Sequence, residues 1–164
     1  MDSHPIWGNP FNKSGSNLKD EIDFLSTVPV FDLLSAREKK KVCSLLHVRI
    51  FSKDEVVFRQ DDPGVGLYIV REGKCEVYCE YSDLSCKRIA VMNTGDFFGE
   101  MSLLNDSPRS ATIVAVTETK LLGLFRHDLL ELMDSSPRLG LNLVYRLAQI
   151  VAERLRLIND FSGE

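Results

Sequence analysis

Residues 66–80 read Gly-Leu-Tyr-Ile-Val-Arg-Glu-Gly-Lys-Cys-Glu-Val-Tyr-Cys-Glu. Two short runs rich in Val, Ile and Tyr flank Glu72-Gly73, and glycine enters the left-handed backbone region without a Cβ clash, as a tight turn requires. In the second run Cys75, Val77 and Cys79 alternate with Glu76, Tyr78 and Glu80, the period of a strand with one buried face. The stretch predicts a β-hairpin. The same texture extends outward through residues 48–51, 55–60, 87–92, 110–116 and 120–125. Turn signals separate these runs: Ser52–Asp54, Asp62-Pro63-Gly64, Ser82–Ser85 and Asn93-Thr94-Gly95-Asp96. Short strands at such close spacing favour an antiparallel barrel or jelly roll over an open parallel sheet.

On either side the period changes to that of a helix. Leu18, Ile22 and Leu25 share one helical face before Pro29 breaks the run. Ser35 with Glu38 forms a capping box that opens a helix with Val42, Leu45 and Leu46 as its buried stripe. Lys39–Lys41 read as that helix's solvated face. Beyond the strands, residues 127–135 read as a short helix around Leu129, Leu130 and Leu132. Ser136 suits an N-cap and Pro137 a first helical position, so a long helix is expected over 137–159. Residues 1–17, dominated by Gly, Pro, Asn and Ser, read as a flexible arm with Trp7 and Phe11 as candidate anchors. The expected class is α+β: an eight-stranded antiparallel β-barrel or jelly roll flanked by N-terminal helices, a short helical turn and a long C-terminal helix. Residues 18–164 are expected to form one domain.

Apolar content of 44% and charged content of 27% fit a globular fold with a real core. A net charge of −4 argues against a broad nucleic-acid footprint. No apolar run approaches the ~20 residues of a membrane span, and no secretory signal is visible. Cys43, Cys75, Cys79 and Cys86 form no Cys-x-x-Cys pair and read as reduced thiols, which favours a cytoplasmic address. His4, His47 and His127 are scattered, and no nucleophile–base pair or metal triad stands out. Neither catalysis, nor a metal, nor a cofactor is expected.

The chemically informative segment is residues 95–112, Gly-Asp-Phe-Phe-Gly-Glu-Met-Ser-Leu-Leu-Asn-Asp-Ser-Pro-Arg-Ser-Ala-Thr. Strand texture stops at Gly95, and Gly99 lets the backbone approach another group closely. Glu100–Leu104 can make one helical turn whose leading N–H groups have no intrahelical acceptor, a setting for an anion. Pro108 ends the excursion, and Arg109 opens the next strand with a fork suited to two phosphate oxygens. Glu100 repels phosphate and suits a sugar hydroxyl. A plain Glu100–Arg109 ion pair across the turn is the structural alternative.

This segment resembles the phosphate-binding cassette of the cyclic nucleotide-binding domain family: Phe-Gly-Glu, an apolar turn, then Pro-Arg-small-Ala. The resemblance runs from about Phe24 to Asn159 and includes Asp62–Lys74. It implies a ligand, cyclic AMP or cyclic GMP, held without chemistry being done on it. By resemblance, Phe98 and Gly99 lie close to the ribose phosphate and Glu100 takes the ribose 2′-hydroxyl. Backbone N–H groups around Met101 and Ser102, the Arg109 guanidinium and the Ser110 hydroxyl hold the phosphate. Ala111 and Thr112 follow, Thr112 facing the base or the core. Serine at position 110 leans towards cyclic AMP.

The family's last helix caps the base, which brings Arg154 near Glu100 and Ile158 towards the base, with Pro137 and Gly140 as hinge positions. Val144, Leu147, Val151 and Ile158 fit a seam for a parallel homodimer, the alternative being a helix folded back on its own barrel. The expected function is a cyclic nucleotide sensor that moves its C-terminal helix and is read by a downstream protein. No helix-turn-helix follows before Glu164, so direct DNA binding is not expected. The alternatives are the same fold without nucleotide, acting as a dimerisation module, or a redox or gas sensor.

Overall fold

The computed structural model describes the backbone of residues 17–161 and the side chains of residues 17–157. Residues 1–16 of the expected arm, with Trp7 and Phe11, and the Ile158 side chain lie outside the described residues. Asn17 belongs to the fold: it caps α1 (Leu18–Leu25) by accepting from the Lys19 N–H. Then follow α2 (Ala36–Cys43), β1 (His47–Phe51), β2 (Val56–Phe58), β3 (Gly66–Glu72), β4 (Cys75–Glu80), β5 (Cys86–Met92) and β6 (Phe97–Phe98). The chain continues through α3 (Met101–Leu104), β7 (Thr112–Ala115), β8 (Thr119–Phe125), α4 (Arg126–Ser135) and α5 (Pro137–Phe161).

The eight strands found among the described residues make two four-stranded antiparallel sheets, ordered β1-β8-β3-β6 and β2-β7-β4-β5. The expected jelly roll is therefore the observed fold. Strand periodicity divides the core in two. Leu67, Ile69, Phe97, Leu122 and Leu124 point towards the helices and join Phe24, Leu25, Val28 and Phe31. Their neighbours Val70, Phe98 and Leu121 point the other way and meet Cys75, Val77 and Ile113 between the sheets. Each fully buried Leu or Phe contributes ~1.5–3 kcal/mol, so the first sheet is held from both faces.

The Ser35 capping box forms as expected, with Ser35 N donating to Glu38 Oε2 at 2.8 Å. The lysine run that follows is not simply a solvated face. Lys39 is buried, and its Nζ donates to Ser26 Oγ at 2.8 Å, tying α2 to the end of α1. Lys41 Nζ donates to Ser136 Oγ at 2.9 Å, at the junction of α4 and α5.

The first half of α5 folds back on its own molecule. Leu139, Leu143 and Leu147 are buried in the helix-side core, and Arg146 reaches Asp32 Oδ2 at 2.7 Å and the Pro29 carbonyl at 3.1 Å. This corrects the expected seam: Leu147, 1% exposed, is unavailable to a second helix. Sequence periodicity alone does not tell an intramolecular apolar stripe from an intermolecular one. Gly140 also has a packing reason. A Cβ there would stand 2.5 Å from Met133 Cγ and 2.8 Å from Met133 Cα, so glycine lets α4 and α5 cross closely.

Candidate functional site

The turn after β6 is built around Gly99, whose φ is +80°. A Cβ at Gly99 would lie 2.4 Å from Arg109 Nη1 and 3.1 Å from the Gly66 carbonyl oxygen. Backbone geometry and the approaching guanidinium both demand glycine. Glu100 comes next as the N-cap of α3, and its carbonyl accepts from Leu103 N at 3.0 Å. Its carboxylate does not cap the helix. Instead Glu100 Oε1 accepts from Arg154 Nη1 at 2.8 Å, while the Arg154 guanidinium lies 4.5 Å from the Phe97 ring centre. The helical turn expected to begin at Glu100 thus has Glu100 as its cap.

Arg109 is 4% exposed. It precedes β7 rather than opening it, in a loop fixed by Arg109 N donating to the Asp62 carbonyl and Asp61 N donating to the Arg109 carbonyl. Its guanidinium carbon lies over Phe58, 4.0 Å from the ring centre, and Nη1 donates to the Gly66 carbonyl at 2.7 Å. Burial lowers its pKa, opposed by the nearby Tyr68, Asp62 and Glu100. Among the described residues, no carboxylate hydrogen-bonds this guanidinium, and its buried Nε has no partner at all. The alternative Glu100–Arg109 pair does not form, since Glu100 is held by Arg154.

Arg126, at the start of α4, was not singled out from the sequence. Its Nη2 donates to the carbonyls of Ser102 and Asn105, both at 2.7 Å, and of Gly64 at 3.1 Å; Nη1 pairs with Asp106. It thereby ties α3 and the loop behind it to α4. A faint signal was present: a cation in a helix's first turn opposes the helix dipole and needs a compensating partner. Ser102 is held further by its own hydroxyl, which donates to the Ser107 carbonyl at 3.1 Å.

A cavity of about 160 Å³ opens between this turn and the barrel. Phe98, Gly99, Glu100, Met101, Ser102, Arg109, Ser110, Ala111 and Arg154, which the family resemblance implied as one ligand set, line this cavity together. Thr112 is not brought to it. Thr112 is buried, and its hydroxyl accepts from Gln60 N at 2.9 Å. The sequence reading missed the apolar lining of Phe58, Val77, Met92 and Ile113, which only strand pairing delivers to one wall.

The four cysteines are free thiols. Burial pushes Cys43 and Cys75 up to about 11, so both stay protonated. Among the described residues, no helix is long and apolar enough to cross a membrane.

The chain belongs to the cyclic nucleotide-binding domain family, whose profile matches residues 48–136. It is 37% identical over 128 residues to the cyclic AMP receptor protein of Thermus thermophilus, covering 78% of this chain and 57% of that protein. It is 34% identical over 113 residues to a cGMP-dependent protein kinase of Plasmodium berghei, covering 69% of this chain and 13% of the kinase. A solved cyclic nucleotide-binding domain from Methylobacillus flagellatus superposes with a TM-score of 0.77 at 27% identity, over 87% of this chain and 80% of that one. The chain thus spans little more than half of the first of these relatives, and a small fraction of the second.

Proposed function

We propose that this chain is a sensor that binds a cyclic nucleoside monophosphate in the cavity beside α3 and does no chemistry on it. The observation that carries this reading is Arg109, a buried guanidinium with an unpartnered Nε and no hydrogen-bonded carboxylate among the described residues. A buried cation with no hydrogen-bonded anion is costly, and a phosphate at the cavity wall offsets that cost. Arg109, the N–H groups of Met101 and Ser102, and the Ser110 hydroxyl take the phosphate, with Gly99 keeping the approach open. Glu100 takes a ribose hydroxyl, and the base lies against Val77, Met92 and Ile113. Thr112 has no part in the ligand set, because it is buried away from the residues that line the cavity. Ser110 favours cyclic AMP over cyclic GMP.

Output goes through α5. Ligand at α3 acts on Arg126 and on the Glu100–Arg154 pair, and both lead to the C-terminal helices. Leu141, Val144, Ala148, Val151 and Leu155 are exposed or half-buried and follow three- and four-residue spacing. That stripe suits a second copy of α5, one step round the helix from the seam first expected. A partner protein would read the resulting helix geometry.

The test is thermal unfolding with and without ligand. Cyclic AMP at 100 times its Kd stabilises the folded state by ~2.7 kcal/mol, a rise of ~5–10 °C for a chain of this size. No rise with millimolar cyclic AMP or cyclic GMP overturns the proposal.

A further inference from the structure

His47 on β1 and His127 and Asp128 at the start of α4 converge on one spot. His47 Nε2 lies 3.1 Å from Asp128 Oδ2, and His127 Nε2 lies 3.2 Å from Asp128 Oδ1. One donor atom from each residue falls within 4.8 Å of the others. We propose that these three side chains form a binding site for a first-row transition ion of the zinc class.

The chemistry of the set fits. Two imidazoles and a carboxylate are ligands such ions accept, and three protein ligands leave a fourth position for water. Zinc bonds of ~2.0–2.2 Å at tetrahedral angles separate ligand atoms by ~3.3 Å, about the distance of each histidine nitrogen from its own Asp128 oxygen, Oδ2 for His47 and Oδ1 for His127. What remains is a turn of the His127 side chain, 74% exposed, that brings its Nε2 towards that of His47 and the Oδ2 side of the carboxylate. The ion takes the Nε2 lone pair of each ring, and the ring proton resides on Nδ1.

The surroundings hold the ligands in place. Asp128 is buried, and its Oδ2 accepts from Phe125 N at 3.2 Å, which fixes the carboxylate. The Phe125 ring stands 5.0 Å from the His47 ring, centre to centre, and is stacked on the His127 ring at 6.1 Å. One aromatic ring therefore braces both imidazoles. The cation next in sequence, Arg126, directs its guanidinium to Ser102, Asn105 and Gly64. The α4 dipole opposes a cation here and weakens the site by up to about tenfold.

The site joins the end of the first sheet to α4, so its occupancy stiffens the junction from which α4 departs. A hydrogen-bonded His–Asp–His cluster that holds β1 to α4 and binds no ion is the competing reading.

The untagged chain is titrated with zinc chloride by calorimetry and with cobalt chloride by visible absorption. One ion per chain at micromolar affinity is expected, with the visible bands of nitrogen and oxygen coordination and no thiolate charge-transfer band. His127→Ala and His47→Gln each weaken binding by more than ~10-fold, the loss that even outer-shell partners can cause. His127 is exposed, so its replacement leaves the fold intact, which a melting curve checks. Cys79→Ser with Cys86→Ser, and separately His4→Ala, leave the affinity unchanged. Zinc raises the melting temperature of the parent chain and not of His127→Ala. The proposal is overturned by absent binding at millimolar zinc, by binding that survives His127→Ala unchanged, or by binding that disappears with the cysteines.

Discussion

Arg154 Nη1 donates to Glu100 Oε1 at 2.8 Å, joining α5 to the N-cap of α3 across 54 positions of sequence. Arg154 is half-exposed and Glu100 largely covered, so solvent screens the pair only in part. Replacing Arg154 with Ala is expected to weaken cyclic nucleotide binding by roughly 3- to 10-fold, about 1 kcal/mol. Shortening the chain after Glu153 should do the same, because it spares the buried Leu139, Leu143 and Leu147. Cutting after Ser136 would instead remove those core residues. Calorimetric titration of the folded variants is the measurement, and affinity equal to the parent's would separate α5 from the ligand.

Arg109→Lys and Arg109→Ala should both lose ~10- to 100-fold in cyclic nucleotide affinity, as expected for a charge-assisted, two-pronged contact. Lysine keeps the charge but cannot reproduce the fork or the stacking on Phe58. The alanine variant also removes the donor to the Gly66 carbonyl, so a stability loss of ~1–3 kcal/mol accompanies it. Urea unfolding gives the stability and titration the affinity; a lysine variant with parental binding would contradict the assigned role.

Arg126→Ala should release the loop behind α3. Its guanidinium holds carbonyls of Ser102, Asn105 and Gly64, so removing it is expected to cost ~2 kcal/mol. Amide hydrogen exchange should accelerate over residues 101–107 while β3 and β8 stay protected. Unchanged exchange across that loop would mean that Arg126 is not what fixes it.

Cys43 and Cys75 set a pH dependence. Burial raises both thiols to about 11, and the Glu21 charge adds to this at Cys43. The folded state therefore holds these protons more tightly than the unfolded chain. The stability they contribute is complete below the unfolded thiol pKa of ~8.5 and is lost as pH rises towards the folded value. The melting temperature should fall over that alkaline range, and less so in Cys75→Ala relative to its own neutral-pH value. At pH 8, iodoacetamide should modify the exposed Cys86 and spare Cys43 and Cys75, read by mass spectrometry. Equal labelling of all three would contradict their burial.

Much of the molecule was legible in the chain because its signals are local. The period-two runs, the Glu72-Gly73 turn, the Ser35–Glu38 box and Pro137 each depend on a few neighbouring residues, and all appear where expected. Residues 98–102 and 108–111 also came together, because a turn followed by a short return loop leaves them few other places to go. The sequence by itself thus determined the strands, the caps and the order of the cassette. Tertiary structure decided what depends on partners far along the chain. It turned Leu147 inward, buried Lys39 against Ser26, and engaged the Thr112 hydroxyl with Gln60. It drew Arg126 onto the carbonyls behind α3 and Arg154 onto Glu100. Side-chain periodicity names a face, but only packing chooses what that face meets, since contact energies depend on groups that sequence spacing does not bring near.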